Sequence, residues 1–172
     1  DRIKLDGIVI VDKPLKTVLL NKPKGYVCSR SGQGSKTIYE LLPEKYKNLK
    51  PVGRLDKDSS GLLLLTNDGE LANKLTHPSN KKEKVYRVTL DKKLADEDKK
   101  QIEKGVELDD GSSKLGLEGH ELEWIVRLSE GRNRQIRRTF SALGYEVLNL
   151  HRVSFGPYNI NKLPSGRHTE VS

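Results

Sequence analysis

The chain contains no methionine, one cysteine, one tryptophan and two phenylalanines among 172 residues. With Cys28 alone no internal disulfide can form and a thiolate zinc site is short of ligands, so a reducing compartment, the cytoplasm, is expected. Long apolar runs are missing as well. The longest, Ile8 to Val11 and Leu62 to Leu65, fall far short of the ~20 residues that a membrane-spanning helix requires. A charged-then-apolar leader is absent, because Asp1 runs directly into Arg2-Ile3-Lys4-Leu5-Asp6-Gly7. The lack of an initiator methionine carries the expectation that the chain continues a longer protein. There is no glycine-rich nucleotide loop: Gly32-Gln33-Gly34 lacks the third glycine and the long helix that should follow. His77, His120, His151 and His168 have no ligand spacing. No metal and no cofactor is therefore expected.

What is present is charge. Hydrophobic residues make up 34% and charged residues 33%, both signs interspersed, which fits a globular chain with a real core. The net charge of +8 is unevenly spread: residues 1–50 carry +6, residues 51–100 +2, residues 101–126 −5 and residues 127–172 +5. Two basic ends separated by an acidic stretch point toward a polyanion such as nucleic acid, against the plainer reading of a solvated basic surface.

Hydrophobic periodicity outlines the architecture. Thr17 to Asn21 reads as a buried strand ended by Lys22-Pro23-Lys24-Gly25, with a second strand from Tyr26 to Ser29. Thr37 and Glu40 form a capping box for a short helix stopped by Pro43. Leu62 to Leu65 is a buried strand, and Asn67-Asp68-Gly69 starts a helix bearing Leu71 and Leu75. Asp91 to Lys104 reads as a polar helix stopped by Gly105. Tyr86, Val88 and Leu90 alternate on one strand, and Leu122, Trp124, Val126 and Leu128 on another. Between Asn133 and Leu143 the period becomes helical, and Val147 to Val153 returns to strand. Together these predict an α+β fold with a mixed, mostly antiparallel sheet and flanking helices. Residues 1–13 read as a linker and the tail of a preceding module, residues 14–172 as the main domain.

Two segments could carry chemistry. Gly53-Arg54-Leu55-Asp56-Lys57-Asp58-Ser59-Ser60-Gly61 places two carboxylates among two cations between apolar strands. It is either an ordinary turn or the setting of an ionised carboxylate that acts as nucleophile or charge stabiliser. Glu130-Gly131-Arg132-Asn133-Arg134-Gln135-Ile136-Arg137-Arg138 packs four arginines into seven residues at a helix start, a phosphate-binding arrangement. Arg137, beside the core residue Ile136, is expected to pair with a buried acid. Tyr86, in Lys84-Val85-Tyr86-Arg87-Val88, fits simple strand packing.

Taken in order, Leu20-Asn21-Lys22-Pro23-Lys24-Gly25-Tyr26, Gly53-Arg54-Leu55-Asp56 on through Gly61 to Gly69, Lys84 to Val88, Glu130 to Arg138, and Leu150-His151-Arg152 with Leu163-Pro164-Ser165-Gly166 resemble the RsuA-type family of bacterial ribosomal RNA pseudouridine synthases. The resemblance covers about residues 17–170. It implies the pseudouridine synthase catalytic fold, two lobes around a cleft, preceded by a small S4-type RNA-binding domain of which residues 1–13 are a remnant. It implies Asp56 as catalytic aspartate, Tyr86 against the target uracil and Arg137 paired with Asp56. Arg54, Lys57, Lys84, Arg132, Arg134 and Arg138 are then expected on RNA.

The implied reaction turns a uridine of ribosomal RNA, or of a ribosomal assembly intermediate, into pseudouridine after base flipping, with no cofactor. A monomeric cytoplasmic enzyme with no membrane partner is expected. The competing class is a non-catalytic ribosomal RNA-binding or assembly protein, which explains the charge but not carboxylates in the groove. A nucleoside hydrolase would need a second carboxylate, for which only Asp58 is close.

Overall fold

The computed structural model describes residues 2–5, 8–11 and 14–171. In chain order the elements are β1 (Arg2–Leu5), β2 (Ile8–Val11), β3 (Thr17–Lys22), β4 (Tyr26–Val27), β5 (Lys36–Thr37), β6 (Lys50–Val52), β7 (Ser60–Thr66), α1 (Gly69–Thr76), β8 (Lys84–Leu90), α2 (Asp96–Lys104), β9 (Val106–Leu108), β10 (Gly111–Ser113), β11 (Gly116–His120), β12 (Glu123–Leu128), α3 (Gln135–Ala142), β13 (Val147–Phe155), β14 (Tyr158–Asn159) and β15 (His168–Val171). The expected module tail at residues 1–13 lies partly outside the described residues; within it β1 and β2 pair as an antiparallel hairpin.

The main sheet runs β11-β12-β8-β13-β7-β3-β15, with β6 and β14 attached to β7 and β13. Every pairing in it is antiparallel except β13 with β7, where His151 and Arg152 lie opposite Ser60 and Gly61. The α+β class with a mixed, mostly antiparallel sheet is thus what the chain adopts. Burial follows position in the sheet. Leu62, Leu63, Leu64 and Leu65 on central β7 are each 0% exposed, because Leu63 and Leu65 pack into one apolar cluster and Leu62 and Leu64 into another on the opposite face. On β8 only Tyr86, Val88 and Leu90 are buried, the alternation of a strand covered on one face.

Some expected boundaries move, for tertiary reasons. The helix expected from Asp91 begins only at Asp96, because Asp91 and Leu94 spend their amides on Glu146 and Glu121 carbonyls and the Ala95 amide donates to the Tyr145 hydroxyl. The Thr37 box initiates a 3₁₀ turn, Ile38–Leu41, with the Glu40 carboxylate accepting from the Thr37 amide at 2.8 Å. The strand at Tyr26 ends at Val27 rather than Ser29. Leu122 sits in the β11–β12 turn, 39% exposed, instead of sharing the buried face of Trp124, Val126 and Leu128. The hairpin β9–β10, strand β11 and the closing strand β15 lack periodic apolar runs and were not expected. No helix among the described residues is long and apolar enough to cross a membrane.

Strand β7 and its preceding loop are tied tightly to β13. Gly61 has φ +111°, and a Cβ there would lie 2.3 Å from the Arg152 carbonyl oxygen and 2.4 Å from its nitrogen. Gly61→Ala should therefore destabilise the fold by about 2–5 kcal/mol, read as a lower urea midpoint. The neighbouring His151 Nδ1 lies 2.8 Å from Ser60 Oγ. Burial, and secondarily Arg87, pushes the His151 pKa below 6.5. The folded state thus binds fewer protons than the unfolded chain, so this contribution is fully present above pH 6.5 and is lost as pH falls from there through the lower folded-state pKa. His151→Asn should lose less stability than the parent between pH 7.5 and 5, as thermal melts at the two pH values would show.

Candidate active site

The loop from Gly53 to Ser59 is held by its backbone carbonyls. Lys22, at the end of β3 and 0% exposed, donates its ammonium protons to the carbonyls of Ser59 at 2.7 Å, Asp56 at 3.0 Å and Pro23 at 3.1 Å, with Lys57 more distant at 3.4 Å. From the other side Arg152, also buried, donates Nε to the Leu62 carbonyl at 2.9 Å and Nη2 to the Gly53 carbonyl. The Cys28 thiol donates to the Leu55 carbonyl at 3.2 Å, and Arg137 Nη2 to the Asp58 carbonyl at 3.0 Å. Burial pushes the Lys22 pKa below 10.5, while Cys28, Asp56 and Asp58 oppose that shift. Gly53, at φ +65°, leaves room for the Phe155 ring, which a Cβ would meet at 2.1 Å.

With its carbonyls turned inward, the loop turns the Asp56 side chain outward into a cleft of about 1220 Å³. The loop forms one wall, the Lys84 and Tyr86 end of β8 with the Glu130–Gln135 segment forms another, and Arg152 and Phe155 contribute from β13. Tyr86 lies opposite Arg152 in the β8–β13 register and is 8% exposed, so it belongs both to the apolar core and to the cleft wall. Packing and a place at the cleft are compatible at this position. Lys84, two residues earlier on β8, puts Nζ 5.0 Å from the Phe155 ring centre and 3.5 Å from the Glu130 carbonyl. Burial, reinforced by Arg152, pushes the Lys84 pKa down, and Glu130 opposes it.

The arginine segment is distributed differently from expectation. Asp56 pairs with Arg134, whose Nη1 donates to Asp56 Oδ2 at 3.0 Å, and not with Arg137. Arg137 instead lies behind the loop, donating to the Asp58 and Val147 carbonyls, with Nε 3.7 Å from Asp58 Oδ2. The reason is helical phase: Arg137 sits one step from the buried Ile136, whereas Arg134 stands at the exposed start of α3. Arg132 and Arg138, expected on phosphate, are occupied by the β9–β10 turn. Arg138 grips Asp110 through two bonds of 3.0 and 2.9 Å, and Arg132 donates to the Asp110 and Ser112 carbonyls. Arg54 is exposed on the cleft wall, and Lys57 reaches Ser35 Oγ at 3.0 Å.

Sequence reasoning missed Lys22, Arg152 and Asp110 as parts of this arrangement, and named Asp58 only as a second carboxylate near Asp56, without its arginine partners. For the first two a signal existed: each is a cation within a strand that carries several apolar residues, and a cation buried there requires acceptors. Among the described residues no cluster of three His, Cys, Asp or Glu side chains is placed to hold a metal ion.

Comparison with known proteins places the fold. The family model described as RNA pseudouridylate synthase matches residues 16–142. An uncharacterised RNA pseudouridine synthase of Aquifex aeolicus is 36% identical over 180 residues, covering 100% of this chain and 72% of the relative. Ribosomal large subunit pseudouridine synthase B of Yersinia pestis is 39% identical over 184 residues, covering 99% and 58%. The Bacillus subtilis protein of the same name is 35% identical over 181 residues, covering 100% and 74%. A crystal structure of a pseudouridylate synthase superposes with TM-score 0.84 at 30% identity, over 95% of this chain and 74% of that one. An H/ACA ribonucleoprotein bound to a substrate RNA shares the fold at TM-score 0.59 and 18% identity, over 86% and 49%. The chain belongs to the RNA pseudouridylate synthase family, in its RsuA-type branch. It spans between about 58% and 74% of the length of these curated relatives.

Lys22→Met replaces the buried ammonium by an apolar chain and removes its donors from the Asp56, Lys57 and Ser59 carbonyls, of which the first two keep only the Ser59 and Gly25 amides. It should cost about 1–3 kcal/mol in urea denaturation, with turnover falling as the loop loosens.

Proposed function

We propose that the protein isomerises a uridine of ribosomal RNA to pseudouridine, and the names of its relatives favour the large subunit. The observation that carries this reading is the Asp56 carboxylate, half-buried at the cleft with one oxygen on Arg134 and with Tyr86 in the same cleft. In this reading the target nucleotide is flipped out of its stack into the cleft, at a cost of a few kcal/mol. The anionic Asp56 oxygen supports cleavage of the N1–C1′ bond, the base turns, and C5 joins C1′. The C5 proton is then lost and N1 gains one, so substrate and product are isomers and no redox partner is consumed. Tyr86 packs against the base and is placed to assist removal of the C5 proton. Arg134 holds Asp56, while Arg137 secures the loop that bears it. Arg54, Lys57 and Lys84 supply cations toward the RNA backbone, and Arg132 and Arg138 add to the basic surface from beside the β9–β10 turn. A monomeric cytoplasmic enzyme without cofactor fits this chemistry. A purely RNA-binding role leaves the placement of Asp56 without purpose, since a phosphate binder gains nothing from carboxylates in its groove.

Asp56→Asn should abolish tritium release from ribosomal RNA labelled at uridine C5, by about 10³-fold or more, while RNA affinity stays within a few-fold. Turnover retained by the variant would overturn the assignment.

A further inference from the structure

Asp58 is not needed by the isomerisation as just described, yet it is the most heavily bonded carboxylate beside Asp56. Arg134 Nη2 donates to Asp58 Oδ2 at 3.0 Å and Nη1 to Asp58 Oδ1 at 3.1 Å, a parallel two-pronged pair; the same Nη1 also reaches Asp56 Oδ2 at 3.0 Å. Asp58 itself is secured from behind by Arg137, through its carbonyl and through Nε. The backbone supplies a second, independent observation. Arg134 has φ 50° and ψ 33°, a left-handed conformation that a long side chain adopts only where its surroundings impose it. That conformation at the N-terminal end of α3 directs the guanidinium across the cleft to the loop.

From this geometry we infer that Asp58 is a positioning residue of the isomerase. It holds both prongs of Arg134, so that only a shared nitrogen reaches Asp56 and the second Asp56 oxygen, Oδ1, keeps no arginine partner. The inference rests on the reading of Asp56 as the reacting carboxylate. Without Asp58, the planar fork of Arg134 would be released to close on Asp56 with two parallel bonds, the geometry that arginine and carboxylate prefer, and would occupy both oxygens. Electrostatics agree with the division of labour: its bonds to Arg134, then the Arg137 charge, hold the Asp58 carboxyl below the usual 3.8, so Asp58 remains an anion that can retain the arginine.

The test measures pseudouridine formation in a large-subunit ribosomal RNA transcript with the parent protein, Asp58→Asn, Asp58→Glu, Arg134→Ala and the Asp58→Asn/Arg134→Ala double variant. Asp58→Asn should lower kcat about 10–100-fold with KM for the RNA within about two-fold. Asp58→Glu should restore part of the loss. In the Arg134→Ala background, adding Asp58→Asn should change kcat less than about two-fold, because the two residues act as one unit. Parent-like kcat in Asp58→Asn, a change confined to KM, or additive losses in the double variant would overturn the positioning role while leaving the isomerase reading intact. No pseudouridine with the parent protein would overturn that reading and the inference with it.

Discussion

Everything at this site depends on backbone carbonyls turned inward onto buried cations. A loop that must present a carboxylate outward, between two apolar strands, leaves its peptide oxygens facing the protein interior, where each needs a donor. Lys22 and Arg152, both almost wholly buried, supply those donors from strands on either side. Neither pairs with a carboxylate there. Both charges are met by peptide carbonyls, and that of Lys22 also by the nearby Asp56 and Asp58. The glycines at each end follow from the same constraint, since Gly53 admits the Phe155 ring and Gly61 admits the backbone of β13.

The arginine segment shows how a fold spends a dense run of charge. Of its four arginines, one spans the two carboxylates of the loop, one anchors the loop from behind, and two lock the β9–β10 hairpin through Asp110. The acidic stretch at residues 101–126 thereby gains a role: part of its negative charge lies on a hairpin docked against α3. Asp110 is held below its usual pKa first by its bonds to Arg138 and then by the Arg132 charge. All four are engaged within the protein, so of the cations expected on RNA those at or beside the cleft without an acidic side-chain partner among the described residues are Arg54, Lys57 and Lys84.

Much of the architecture was legible along the chain because local periodicity reports burial. Four consecutive leucines marked a strand covered on both faces, and alternation marked β8 and β12. The Asp68 cap, whose carboxylate accepts from the Glu70 and Leu71 amides, set the start of α1. Hairpin β9–β10 escaped because its two strands are only three residues each and pair with each other, too short for a periodic apolar pattern, and β15 because its pairing is supplied by β3, far away in the chain. The late start of α2 escaped for a related reason: residues 91–95 would be helical by propensity, but tertiary hydrogen bonds claim their amides.

At the site, residue types and spacing marked the Asp56 loop and the arginine segment as places for chemistry, while the choice of Asp56 and of Tyr86, which by pattern alone fits strand packing, came from the resemblance of the ordered motifs to a family. Which arginine meets which acid was a different matter. Positions 134 and 137 differ by three residues and nearly one helical turn, so the choice depends on the phase of α3, on the left-handed backbone of Arg134, and on where β9–β10 places Asp110. Those are properties of packing between segments far apart in the chain. The sequence alone determined the buried strands, the carboxylate-bearing loop and the dense arginine segment; only the tertiary structure brought the loop, Tyr86 and Arg134 to one cleft and decided which arginine meets which acid, because ion pairs form over a few ångströms in space regardless of separation along the chain.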